Sequence, residues 1–213
     1  LATVLVTAAI VFATTADAQI MRLDGFKSLL EQRPHEPFGL STELAPAGPL
    51  WVKSRKVDDA LARDDAEVAR CRTDATACSK AALTLIALID EARSLDGRRQ
   101  LGIVNRSLNL AIAYASDMSQ HGVVDQWSSA LASLQRGRGD CEDYAIAKYY
   151  VLRAAGVPAE DLRLLIAHNY SDGDAHAVLA VRRDGHWFIL DNRKMVIFPL
   201  DQVRAADRNR VGH

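Results

Sequence analysis

Gly139-Asp140-Cys141-Glu142-Asp143-Tyr144-Ala145-Ile146-Ala147 is the stretch on which the fold turns. Before it, Arg136-Gly137-Arg138-Gly139 is loop chemistry, with glycines that permit tight or left-handed backbone. Asp140 is a favoured N-cap residue, and Cys141 to Ala155 is rich in helix formers. Gly156 stops that helix and Pro158 prevents its resumption. Cys141 therefore falls in a first turn, where unpaired N–H groups and the helix dipole favour negative charge. That position is expected to bring the thiol below its free pKa of about 8.5. A buried structural cysteine would satisfy the same residues, so the motif needs a partner to become chemistry.

The partner lies downstream. His176-Ala-Val-Leu-Ala-Val-Arg-Arg183 and His186-Trp-Phe-Ile-Leu-Asp-Asn192 read as strands around Asp184-Gly185, a strong hairpin turn. A two-residue loop pairs Arg183 with His186 and sets Asp191 opposite Val178, one pleat from His176 on the same face. A carboxylate then reaches one imidazole nitrogen and leaves the other free, as a general base with a fixed tautomer requires. His186 falls on the opposite face, and a one-residue slip would exchange the two histidines. Cys141, His176 and Asp191, in that chain order, form a candidate nucleophile–base–acid triad.

These runs, with Gly156-Val-Pro158, Asp161-Leu-Arg-Leu164, Asn105-Arg-Ser-Leu-Asn109 and Asp125-Gln-Trp127, resemble the bacterial transglutaminase-like cysteine proteinases. That family includes the LapG-type periplasmic proteases that trim large surface adhesins. The likeness spans roughly residues 50 to 198. It implies a papain/transglutaminase-like fold with Cys141 as nucleophile, His176 as base and Asp191 as orienting acid. By the same analogy the substrate is a surface adhesin, and control comes from an inner-membrane cyclic-di-GMP receptor. One departure is that Trp127-Ser-Ser-Ala130 stands where the family commonly has Thr-Pro.

The resemblance also implies calcium beside the cysteine, at Asp140 and Glu142. Carboxylates flanking a nucleophile raise its pKa by like-charge repulsion, and a bound Ca²⁺ would neutralise them with hard oxygen ligands. Alternatively, Asp140 caps the helix while Glu142 and Asp143 meet its dipole. A calcium site takes about 6–8 oxygens, so two ligands do not complete one; Asp125 and Asp143 are further candidates.

The N-terminus carries a compartment signal. Val4 to Ala13 is apolar and uncharged, and Ala16-Asp17-Ala18 fits a small-x-small cleavage site before Gln19. Residues 1–18 thus read as a signal peptide, with a buried N-terminal helix as the competing reading, and the periplasm is the expected location. The apolar run is shorter than the roughly 20 residues of a membrane-spanning helix. Cys71 and Cys78 fit one loop-stapling disulfide in an exported protein, which leaves Cys141 as the odd thiol. Zinc is disfavoured because no second ligand pair follows.

With 213 residues, a net charge of −1 and no basic stripe with interleaved aromatics, the chain fits one domain and gives no sign of nucleic-acid binding. Residues 19–50, with Pro34, Pro37, Pro46 and Pro49, read as an irregular entry segment, 51–200 as the peptidase domain and 201–213 as a polar tail. Helical spacing appears over Val57–Arg70, Ala81–Ala92 and Leu101–Ala115; strands are expected at Leu162–Ala167, His176–Arg182, Trp187–Leu190 and Met195–Phe198. The Cys141 helix is apolar nearly all round and should be central. Asn105 and Asn109 share a helix face and are expected to face water rather than hold the cleft. The fold class is α+β: N-terminal helices and a central cysteine-bearing helix packed on an antiparallel sheet. Two rival functions keep the same residues: transamidation by the same triad, and a non-catalytic adhesin-binding or regulatory module.

Overall fold

Ten consecutive residues, Asp143 to Leu152, are buried within one helix, a pattern that only a helix enclosed on every side can show. The structure, a computed structural model, describes residues 36–37, 48–168 and 175–200. The signal-peptide segment, most of the entry segment and the polar tail lie outside the described residues. Around the buried helix, α6 (Cys141–Ala154), stand α1 (Pro49–Thr73), α2 (Lys80–Arg93), α3 (Gly97–Ala111), α4 (Asp117–His121) and α5 (Ala130–Arg136). Two short parallel strands, β1 (Ala113–Tyr114) and β2 (Arg138–Gly139), lead into it. On its far side β3 (Leu162–His168), β4 (Ala175–Arg183), β5 (His186–Leu190) and β6 (Phe198–Pro199) form an antiparallel sheet in sequential order.

The core follows from the pattern. Leu61, Leu85, Ile89, Leu101, Val104 and Leu108 bring the stripes of the first three helices against Tyr150, Val151 and Leu152. Alternation in the sheet adds Leu179, Val181, Phe188 and Leu190 to that core, while Leu165, Ala180, Trp187, Ile189 and Leu200 make a second cluster. Several polar groups enter the core, and some of them tie elements together. Asp64 of α1 is buried, where it accepts from Ser129 Oγ at 2.9 Å and Leu131 N–H at 2.9 Å. It thereby holds the start of α5, whose own cap is Ser129. Burial raises the Asp64 carboxyl, against the pull of those two donors. Arg163 of β3 grips Glu36 with two 2.9 Å bonds. A disulfide joins Cys71 to Cys78 across the α1–α2 turn.

The hairpin register is the expected one: Arg183 pairs with His186 and Leu179 with Leu190. Asp184 and Gly185 both take positive φ, 52° and 76°, as a two-residue turn of the hairpin hand requires. Elsewhere boundaries moved for local reasons. Helix α1 begins at Pro49, because proline at the first helical position gives up an N–H that had no partner. The third helix ends at Ala111, because Ala113 and Ala115 donate instead to the carbonyls of Gly137, at the end of α5, and Gly139 of β2. The expected strand at Met195–Phe198 reduces to Phe198–Pro199; Met195 and Val196 are exposed in a bend, with no strand partner among the described residues.

Candidate active site and acidic pocket

Cys141 is the first residue of α6, reached through β2, and its thiol lies against the β4 backbone, where the Ala177 N–H donates towards the sulfur. His176 is the residue just before that donor. Its Nε2 meets Asp191 Oδ1 at 2.9 Å, and Nδ1 is buried with no hydrogen-bond partner among the described residues. With Nε2–H donated to Asp191, the neutral ring carries its lone pair at Nδ1, the arrangement of a general base with a fixed tautomer. Asp191 Oδ1 also accepts the Arg193 N–H at 2.9 Å. Burial alone would raise the Asp191 carboxyl, but the hydrogen bonds from His176 and Arg193, with the charges of His176 and Lys148, hold it below the ordinary carboxylate value. The structure therefore joins His176 to Asp191 and sets Cys141 against the backbone of the residue that follows His176. His186 is exposed at the far end of the hairpin.

The loop that carries Asp191 is clamped from behind. Asn109 Nδ2 donates to the Asp191 and Lys194 carbonyls at 2.9 Å each, and Asn105 Nδ2 to the Lys194 carbonyl at 2.8 Å. Both asparagines are buried, so the expectation that they face water is corrected: α3 turns that face onto the 191–194 loop. Asn109→Ala strips two bonds from this loop. We expect it to cost about 1–3 kcal/mol of stability by denaturant titration and to slow Cys141 alkylation by iodoacetamide about tenfold or more through displacement of Asp191.

The thiol itself is not activated by its helix position in this arrangement. Cys141 Sγ donates to Glu142 Oε2 at 3.0 Å. Burial first, then the Glu142 charge and hydrogen bond, push the thiol up to about 12, against the Ala177 N–H and with a further contribution from Asp140. The expected lowering is thus reversed because the carboxylates and burial outweigh the helix dipole.

Those carboxylates belong to a pocket. Asp117 of α4, Asp140 and Asp143 each place an oxygen within 4.8 Å of the others, all three buried or nearly so. Asp143 Oδ1 accepts the Ser128 N–H at 2.8 Å and Asp117 Oδ2 accepts the Gln126 N–H. The remaining oxygens, Asp117 Oδ1, Asp140 Oδ1 and Asp143 Oδ2, are buried without a hydrogen-bond donor. Asp140 sits at the N-cap position but makes no capping bond. Arg136 Nη2, 3.6 Å from Asp143 Oδ2, is the nearby cation. A cluster of three carboxylates with buried oxygens that lack hydrogen-bond donors fits a calcium-type ion, though three residues supply only part of the set such an ion takes. Glu142 touches this cluster through Asp140 and the thiol at once. Asp125 is not one of the three and pairs with Lys53.

Gly139 is required by the pocket. A Cβ there would lie 2.7 Å from Asp143 Cβ and 2.8 Å from Oδ2. Gly139→Ala is expected to push Asp143 out of place and abolish any calcium-induced rise in melting temperature, measured by thermal unfolding with and without chelator. An unchanged calcium response would count against Asp143 as a ligand.

Sequence reasoning missed Asp117, which comes from a separate segment with no spacing relation to Cys141. Asp143 was visible only as one acid among several.

A thiol at the start of a buried helix, set against a strand whose histidine is held by a carboxylate, is the arrangement of a papain-like or transglutaminase-like class of cysteine enzyme. The family model for the bacterial transglutaminase-like cysteine proteinases matches residues 66–205, and the chain belongs to that family: it is a cysteine peptidase of transglutaminase-like type. Among solved structures it is similar to Legionella pneumophila LapG in its calcium-bound form, with 30% identity and a TM-score of 0.54 over 63% of this chain and 77% of that one. The EGTA-treated form of the same protein matches with 30% identity and a TM-score of 0.53, over 63% and 75%. No curated protein matches.

Proposed function

We propose that this protein is an exported cysteine endopeptidase that cleaves a protein substrate with Cys141, His176 and Asp191, under calcium control. The observation that carries the reading is the His176 ring, fixed to Asp191 through Nε2 with its unpartnered Nδ1 beside the residue that donates to Cys141. In the reaction His176 Nδ1 takes the thiol proton, and the thiolate attacks the scissile carbonyl carbon. The Cys141 N–H, unpaired at the first turn of α6, is one donor to the developing oxyanion. The imidazolium, held by Asp191, gives its proton to the leaving amine, which departs to leave a thioester. His176 then draws a proton from water, whose oxygen attacks the thioester and releases the acid and the thiol.

Asp117, Asp140 and Asp143 would hold the calcium ion, with Glu142 adjoining. The ion would supply positive charge beside a thiol that burial and carboxylates otherwise keep protonated. Support comes from the three donor-free buried oxygens and from the calcium-bound form known for the similar LapG. The signal-like N-terminus supports a periplasmic location, and no helix among the described residues is long and apolar enough to cross a membrane. By analogy with LapG-type proteases the substrate is the N-terminal region of a large surface adhesin, and the regulator is an inner-membrane cyclic-di-GMP receptor.

The test is incubation of the mature protein with such an adhesin region, with calcium or with chelator, in the presence of a labelled amine. Cleavage that requires calcium and Cys141 supports the proposal. Incorporation of the amine without hydrolysis would replace it with transamidation, and binding without either reaction with a non-catalytic module.

A further inference from the structure

Arg136 is the last residue of α5, and Gly137 follows it as a left-handed C-cap with φ 63°. A basic residue in a last turn is ordinarily explained by the helix dipole. Here the side chain has a more particular setting. Its Nη2 donates to Ser128 Oγ at 2.7 Å and stands 3.6 Å from Asp143 Oδ2. Ser128 is buried, and its own N–H donates at 2.8 Å to Asp143 Oδ1, the other oxygen of the same carboxylate. One residue thus ties the guanidinium by its hydroxyl and the carboxylate by its amide.

That tether leaves Asp143 Oδ2 open. The oxygen is buried and accepts no hydrogen bond, and its carboxylate belongs to the cluster with Asp117 and Asp140. Arg136 is near enough to act on this oxygen as a charge, but at 3.6 Å, and bonded to Ser128, it does not cap it as a donor. A guanidinium has no lone pair to offer a metal and stays charged across the working range of a protein. Its influence on the two states of the pocket therefore has opposite signs. It favours the ionised carboxylates when no ion is bound, and it repels a divalent cation that enters beside Oδ2.

Building on the calcium-pocket reading above, we propose that Arg136 sets the calcium threshold of the pocket: held beside Asp143 Oδ2 by Ser128, its guanidinium supplies counter-charge when the ion is absent and opposes the ion when it binds. Arg136 is neither a ligand nor a member of the triad, and it acts on calcium through charge alone.

Calorimetric titration of the mature protein with calcium at neutral pH, with melting temperatures in chelator and in saturating calcium, tests this without a substrate. Arg136→Gln removes the charge and keeps an amide end. It is expected to bind calcium about tenfold more tightly, a size limited by solvent screening of a side chain that is 31% exposed. Arg136→Lys keeps the charge and should stay within about threefold of wild type. In chelator Arg136→Gln should melt below wild type, and its rise on adding calcium should exceed the wild-type rise. An arginine that merely braces Ser128 predicts unchanged or weaker calcium binding in Arg136→Gln, and that result would overturn the proposal. So would a lysine variant that binds as tightly as the glutamine variant, or a glutamine variant that fails to fold even in calcium. If neither wild type nor Arg136→Gln binds calcium, the calcium reading itself fails and takes the proposal with it, an outcome distinct from wild-type binding that Arg136 does not tune.

Discussion

His176→Ala is expected to lower kcat/KM for peptide cleavage by about 10³-fold or more, near the effect of Cys141→Ala, while both variants keep the wild-type fold. General-base assistance is worth about 10²–10⁴, and a thiol raised to about 12 by burial and by Glu142 has almost no thiolate of its own at neutral pH. Without the imidazole the proton has nowhere productive to go: Glu142 Oε2, 3.0 Å from the sulfur, is the hydrogen-bond acceptor of the resting thiol and stabilises the protonated form. Losses at Cys141 and His176 should not add, because each removes the same unit. Stability should be unchanged or slightly raised in Cys141→Ala, since a thiol crowded by carboxylates is a site where activity and stability trade off. Steady-state kinetics with melting curves checks both parts. A His176→Ala enzyme within tenfold of wild type would mean another base serves the thiol.

The second large effect concerns the acidic pocket. Burial, then the charges and hydrogen bond of Glu142 and the charges of Asp143 and Asp117, push Asp140 up to about 8. Asp143 is pushed up to about 6, by burial first, against the Ser128 N–H and Arg136. Both folded values lie above the unfolded carboxyl pKa of about 3.9. An acid raised by folding stabilises the fold while protonated. Its contribution is complete below about pH 4 and is lost as pH rises through the folded values. In chelator, stability should therefore decline between about pH 4 and pH 8. Asp58, raised to about 6 mainly by burial, adds to the same trend in the lower part of that window. Saturating calcium favours the ionised pocket, so it should flatten the decline and raise the melting temperature near neutral pH by about 5 °C or more. Asp143→Asn keeps the acceptor for Ser128 N–H but removes the charge. It is expected to melt higher than wild type in chelator and to lose the calcium response. Identical pH slopes with calcium and with chelator would show that the pocket does not take the ion.

Much of this molecule could be read in its residues. Cys141 was legible because capping, helix composition and the Gly156-Val-Pro158 stop all bound one helix, and His176 with Asp191 because a two-residue Asp-Gly turn, the form the hairpin takes, excludes the one-residue slip that would exchange the histidines. The cysteines at 71 and 78 were legible as a pair by proximity. What escaped was long-range. Ala113 and Tyr114 become a strand only because Arg138 and Gly139 lie beside them. The Asn105–Asn109 face looks like water-facing surface until the 191–194 loop folds onto it. Asp117 joins Asp140 and Asp143 through tertiary folding alone. The upward push on the thiol has two sources: Glu142 and Asp140, whose like-charge repulsion is legible beside Cys141 in the sequence, and burial, which only the whole fold sets.

The central claim is that Cys141 and His176 act as one activated pair. The most direct measurement is the rate of Cys141 alkylation by iodoacetamide across pH, in wild type and His176→Ala, with calcium and with chelator. The account predicts a reactive thiol in calcium, with an apparent pKa well below about 8.5, slow alkylation in chelator, and no such reactivity in His176→Ala under either condition. A thiol that titrates at its ordinary value, indifferent to both calcium and His176, would contradict the account.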